Sequence, residues 1–409
     1  MRQYASLLRE RNILILLASS VALSLFRGPV AWVLPLLLMK KGGPLLVGVS
    51  FAVANMDDTV FAFIGGLLGD RYGRKPVVIA STAFYSVGCL LLLLSLLLHG
   101  FLSQVVAFSA TICLYGMTGV SSGPSGAIVA ESVKEQSLGQ AFSLLSMASV
   151  AARALGSLVL GFVYVRTPVG TALVALLLSL AALVANLFLR ETLEPRHDNR
   201  HLCFRSHMSK TVGTIRSALV ATFIPLAVIV VCNGLAHGIS GNYYPPYFRI
   251  SLNLDEATIG IVYSIMAVIQ SLLLPLAGWF ADRFGFSATL ALGNVGTGLA
   301  VLVFALSSSR SLAVPATIVS GGLGVFHEIG HSVATAKSSD RSFRSTLYGG
   351  MNALWNAMFV WGPFVGGLLY ALKPVLPFAV TAALFLASII PILALRRAMR
   401  PVGTRRVHA

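Results

Sequence analysis

His327, Glu328 and His331 lie in the heptapeptide FHEIGHS (326–332). They spell the H-E-x-x-H pattern with which soluble zinc proteases hold a metal and activate water. Residues four apart on a helix share a face, so the two imidazoles project together whatever they do. A hydrolytic zinc site, a transported or regulatory divalent cation, proton- or solute-binding groups on a polar pathway, and plain helix packing all use this spacing. The elements that carry the motif must decide among them.

Those elements are set in lipid. The 409 residues are 56% hydrophobic and only 11% charged, with a mean hydropathy of +0.83, more apolar surface than one water-soluble domain can bury. Runs long enough to cross a bilayer as helices recur along nearly the whole chain. They are expected at 12–38, 45–69, 77–98, 102–129, 139–165, 168–189, 217–247, 256–281, 287–307, 311–335, 345–371 and 375–396. The first follows MRQYASLLRERN, exceeds the length of a signal-peptide core and lacks a small-residue cleavage site, so it is expected to stay attached.

The net charge of +16 would suggest nucleic acid in a soluble protein. Here the basic residues collect in alternate loops: Arg2, Arg9 and Arg11; Arg71, Arg74 and Lys75; Arg190 to Lys210; Arg396 to Arg406. That alternation follows the positive-inside rule with both termini cytoplasmic, and no nucleic-acid partner is expected. Cys89, Cys113, Cys203 and Cys232 have neither paired nor metal-ligand spacing, so no disulfide framework is expected.

The polar interval ETLEPRHDNRHLCFRSHMSK (191–210) separates six spans from six. It predicts an N-terminal half at 1–190, a linker at 191–216 and a C-terminal half at 217–409. The halves repeat. GGLLGDRYGRK (65–75) recurs as AGWFADRFGFS (277–287), placing Gly66, Asp70, Arg71 and Gly73 on Gly278, Asp282, Arg283 and Gly285. FRGPVAWVLP (26–35) answers AHGISGNYYP (236–245), and GSLVLGFVY (156–164) answers GPFVGGLLY (362–370). Two parallel six-helix halves are one way to build a transporter with its site at the midplane between them.

At these residues the chain resembles the major facilitator superfamily over essentially its full length. GLLGDRYGRK (66–75) is similar to that family's loop between helices two and three, with every defining position filled; the second copy has Phe286 and Ser287 where Arg74 and Lys75 stand. Gly66 is expected to permit close helix approach, Gly73 a tight turn, and Asp70 to face another helix's N-terminus. The resemblance implies that Asp70 latches onto the eleventh helix near Arg344 in the outward-facing state. Arg71, Arg74, Lys75, Asp282 and Arg283 belong to the same gating element.

WGPFVGG (361–367), with Gly362, Pro363, Gly366 and Gly367, resembles a glycine–proline element of drug antiporters that sits in their fifth helix; here it falls in the eleventh. Close packing and sealing of the cavity are equally good accounts of it. LYGMTGVSSGPSG (114–126) lacks the arginine that proton-coupled antiporters carry in helix four.

Ionisable groups inside spans are costly and mark function. They are Arg27, Asp57, Asp58, Arg153, His237, His327, Glu328 and His331. Asp57 and Asp58 lie about 100° apart on a helix, so one is expected to line the cavity, and Arg27 is the expected partner of a carboxylate. By resemblance, helices one, four, seven and ten line the cavity, with Arg27, His237 and the stripe through His327 and His331 on three of its walls.

The sequence therefore predicts an all-α membrane protein of twelve helices. It predicts a monomeric secondary transporter in the cell membrane that moves a small solute in exchange for protons, without catalysis or cofactor. A divalent-metal transporter using His327, Glu328 and His331 is the alternative, and an intramembrane zinc protease the remoter one.

Overall fold

The computed structural model describes residue 7 and residues 9–133, 138–193, 218–307, 309–337 and 344–399, and the regular elements among them are all helical. Lipid offers no hydrogen-bond partner, so each apolar segment must satisfy its own N–H and C=O groups, which only a helix does.

Helix α1 (Arg11–Tyr72) holds the first two predicted spans, divided at Gly43, where φ is 72° and ψ −168°. Glycine enters that region without steric cost, and Pro44 begins the second limb, where a missing N–H is harmless. Gly73, at φ 103°, ends α1 and starts α2 (Arg74–Leu97). Then come α3 (Gly100–Tyr115), a 3-10 turn (Gly116–Ser121), α4 (Ser122–Ser132), α5 (Leu138–Arg166) and α6 (Pro168–Leu187).

The second half runs α7 (Ala218–Gly241), α8 (Tyr244–Ile250), α9 (Glu256–Leu306), α10 (Arg310–Lys337), α11 (Arg344–Leu372), α12 (Leu376–Ala387) and α13 (Ile389–Ala398). Asp255 caps α9 by accepting from Thr258 N at 3.0 Å. Inside α9, Gly285 has φ 82° and ψ 164°, and Asn253 has φ 50°. Gly73 and Gly285 are the pair that the sequence repeat aligns, so the duplication reappears as matched backbone breaks.

Nine helical stretches among the described residues are long and apolar enough to cross a membrane. The count departs from twelve because the first two predicted spans are continuous as Arg11–Gly69, the eighth and ninth as Glu256–Leu306, and Arg344–Leu372 is not among the nine.

The halves meet along two seams, α1 against α11 and α5 against α9. A single apolar core crosses between them, in which Phe26, Trp32 and Leu34 of α1 join Tyr243, Phe248, Phe304 and Phe378. At the opposite end, near the linker, the cores separate. Ile13, Val78, Ile128 and Leu189 cluster in the first half, whereas Leu226, Leu290, Met351 and Leu395 cluster in the second.

Candidate solute and proton site

In the first half, α1 and α5 cross backbone to backbone. A Cβ on Gly28 would overlap Arg153 O, and one on Gly156 would overlap Leu25 O. This brings Arg27 and Arg153 into mutual electrostatic repulsion, with both residues exposed. Arg27 does not hold a carboxylate as expected. Its guanidinium carbon lies 5.6 Å from the centroid of the Tyr85 ring.

Asp57 and Asp58 both press on the helix-four wall. Asp57 Cβ and Asp58 Oδ1 would lie 2.8 Å and 2.7 Å from Cβ atoms built on Gly116 and Gly119. The wall is a 3-10 turn there, and its two glycines admit adjacent aspartates. Asp57 Oδ2 is buried without a hydrogen-bond partner among the described residues.

In the second half, His237 on α7 and His327 on α10 face each other with their Nε2 atoms 3.3 Å apart. Trp355 and Phe385 pack around both rings, with centroids 5.3–6.3 Å away. His327 is 5% exposed, so it lies inside the second half rather than open on a cavity wall. Its Nδ1 and His331 Nε2 are buried and unpartnered. Beside the pair, Asn294 Nδ2 donates to Asn233 Oδ1 at 3.1 Å and Ser388 Oγ at 2.7 Å. Glu328 is exposed, turned away from the imidazoles. No three of His, Cys, Asp and Glu converge to hold a metal among the described residues.

WGPFVGG packs against both halves. A Cβ on Gly362 would stand 2.6 Å from Gly238 Cα, and one on Gly366 would overlap Ile239 O, so these two seat α11 on α7. Gly367 faces the other half, where an added Cβ would stand 2.8 Å from Pro44 O. Tyr243 Oη donates to Pro363 O at 2.8 Å and stands 3.3 Å from Pro44 O. Sequence reading missed Tyr243. Its one signal is position, seven residues beyond the start of the repeated AHGISGNYYP.

At the other end, the side chains of Asp70 and of Arg344 at the start of α11 lie outside what the structure describes. Gly66 is not the point of close approach: nothing lies within 4 Å of a Cβ there, whereas one on Gly65 would overlap Val120 O and one on Gly69 would stand 2.9 Å from Pro124 Cγ. Gly65 and Gly69 are four apart and share the face toward α4; Gly66 is turned from it and borders a cavity of about 240 Å³. Arg74 pairs with Glu131, and Arg71 lies over the Tyr72 ring at 5.3 Å. Lys75 and Arg74 donate their backbone N–H groups to Glu191 at 3.0 Å. In the second copy, Asp282 is exposed, and Arg283 lies over Trp279 and Phe284.

Two helical halves that share one apolar core at one end and keep separate cores at the other, with ionisable groups inside the spans of each, define a membrane transporter built of two repeated halves. The chain belongs to the Major Facilitator Superfamily, whose family model matches residues 13–223 and 226–408. That membership sets aside the zinc-protease reading of FHEIGHS.

Among curated proteins, the chain is similar to the tetracycline resistance protein, class D, of Salmonella ordonez, at 32% identity over 125 residues, which are 31% of this chain and 32% of that one. It is also similar to multidrug resistance protein 1 of Bacillus subtilis (strain 168), at 27% over 156 residues, 38% and 40% of the two chains. The chain thus spans about a third of the first relative's length and two fifths of the second's. Among solved structures, a point mutant of the nucleoside transporter NupG aligns with a TM-score of 0.73 at 14% identity, covering 95% of this chain and all of that one. The peptide transporter POT in complex with sulfate aligns at 0.70 and 17%, covering 95% of this chain and 94% of that one.

Proposed function

We propose that this protein exports a small organic solute across the cell membrane in exchange for protons, by alternating access through twelve spans with both termini in the cytoplasm. The observation that carries the reading is the asymmetry of the core: one apolar cluster bridges the halves at one end, and separate clusters face each other at the end bearing the linker. Two rigid halves joined at one end and parted at the other form one extreme of a rocking cycle. The resistance proteins among its relatives support the outward direction of transport.

The proton sites in this reading are the His237–His327 pair and Asp57. Two Nε2 atoms 3.3 Å apart accommodate a single shared proton, and Asp57 carries an unpartnered buried oxygen. The Gly73–Arg74 loop, with Asp70, is the gating element. The metal alternative is not carried forward, because Glu328 is turned away from the histidines and no third ligand joins them among the described residues.

The test is flux. Purified protein in sealed vesicles, given an acid interior, should accumulate a fluorescent cationic drug or a labelled anionic one against its gradient and release protons as it does so. Solute movement unaltered by collapse of the pH gradient would overturn the exchange.

A further inference from the structure

Arg27 and Arg153 are each the charged neighbour of the other. The Gly28–Arg153 backbone contact holds their helices together at this level, and the two guanidinium groups repel. The ion pairs found among the described residues, Arg74–Glu131 and Arg249–Glu256, do not involve either arginine, and the charged neighbour of Asp57 is Asp58.

Arg153 is turned from the apolar face of its helix. Leu155, Val159 and Phe162 form the exposed apolar face of α5, and at about 100° per residue Arg153 lies roughly 120–180° around the helix from them. A lipid-facing guanidinium at this depth would also cost several kcal/mol. Beside them, Tyr85 is 3% exposed. Arg27 stands at its ring and within reach of its hydroxyl, a contact that falls short of good hydrogen-bond geometry at Tyr85 Oη. Two like charges held at one level beside a buried hydroxyl form a site suited to an anion.

We propose that Arg27 and Arg153, with the Tyr85 hydroxyl, grip a carboxylate or phosphoryl group of the transported solute. The subsite deepens the export reading above and rests on it for the word transported. Guanidinium groups suit this ligand because each offers parallel N–H donors to two oxygens, and an anion between them offsets their mutual repulsion. The solute is then an organic anion or a zwitterion presenting its acidic group to the first half.

Purified full-length protein is melted with succinate or inorganic phosphate against chloride at equal ionic strength. Wild type should gain about 2–4 °C near saturation. Arg27→Gln and Arg153→Gln should each abolish that gain while melting, without anion, no lower than wild type, since each removes a repulsion. Arg27→Lys and Arg153→Lys, which keep the charge, should retain part of the gain, and Tyr85→Phe should reduce it. An equal gain in wild type and both glutamine variants, or none in wild type, overturns the subsite.

Vesicle flux separates this proposal from the export reading. Export of the cation ethidium by wild type together with an anion melting gain that is equal in both glutamine variants keeps the exporter and overturns the anion grip. An arginine-dependent melting gain with no flux of ethidium, succinate or phosphate keeps the grip and overturns export.

Discussion

Tyr243 and Pro363 are joined by a hydrogen bond of 2.8 Å from Oη to the main-chain oxygen, and the same hydroxyl stands 3.3 Å from Pro44 O in the other half of the molecule. One side chain in the turn between α7 and α8 thus ties the glycine–proline element of α11 to the start of the second α1 limb, where a Cβ on Gly48 would come within 3.0 Å of the Tyr243 hydroxyl. Tyr243→Phe keeps the ring, stacked on Tyr370 at 5.3 Å, and removes only the donor. About 1 kcal/mol of closure should be lost, shifting the populations of closed and open forms by about fivefold. Distances between spin labels on α1 and α11 at this end should show more of the long component; unchanged distributions would mean that apolar packing alone holds the seal.

At Gly366 the constraint is steric rather than polar. An added methyl would overlap Ile239 O and press on the Tyr243 ring at 2.6 Å. Gly366→Ala should cost about 1–3 kcal/mol and render the closed end leaky to small ions. Gly66→Ala, with open space around its Cβ, should be nearly silent in the same melting and leak assays.

The gating loop should act on rate. Arg74→Ala breaks the pair with Glu131 and Asp70→Asn removes a charge from the motif; both are distant from Arg27 and His327. Each should slow transport at least severalfold while leaving solute affinity within a few fold. Full rates in both variants at equal expression would remove the loop from the cycle.

The His237–His327 contact predicts a different split. The 3.3 Å bridge needs one donor and one acceptor, so its halves act as a unit, and the double variant His237→Gln/His327→Gln should be scarcely worse than either single one. Proton-driven uptake should fall about tenfold or more, while solute counterflow without a pH gradient persists. Loss of both activities in step would assign the pair to folding.

These relationships differ in how far the sequence could reveal them. The GDRYGRK loop and its degraded copy were legible because turn chemistry is local: Gly73 and Gly285 carry positive φ wherever their helices pack. The apolar runs were legible because lipid leaves the backbone little choice, and the non-helical backbone at Gly43 and Gly285 falls between predicted spans. The Arg27–Tyr85 and His237–His327 contacts were not legible. Each depends on which faces of two helices meet, and that is set by small residues such as Gly28 and Gly293, the latter lying directly against the His327 backbone. The expected Arg27–aspartate pair failed for the same reason: comparable depth in the bilayer does not fix which way a helix is turned.

Glu191 was hidden because its partners lie 116 and 117 residues away. Its carboxylate takes the N–H groups of Arg74, Lys75, Thr192 and Leu193, all at 3.0 Å, and so caps α2 from the end of the first half. Burial alone would raise this carboxyl, but the four N–H groups outweigh it and hold it below the usual carboxylate range. A depressed folded value means that the stabilisation is fully present above the unfolded value of about 4.3 and is lost as pH falls through the lower folded one. Glu191→Gln should therefore melt lower than wild type by a constant margin from about pH 8 to pH 5, corresponding to about 1 kcal/mol for a lost cap. The two melting curves should converge in stronger acid. Gly73→Ala should remove much of the same stabilisation, because its Cβ would stand 2.6 Å from Glu191 Oε2 at a φ of 103°, and the two substitutions together should cost less than their sum. A margin between wild type and Glu191→Gln that stays undiminished at pH 3 would show that Glu191 acts through its shape and not its charge.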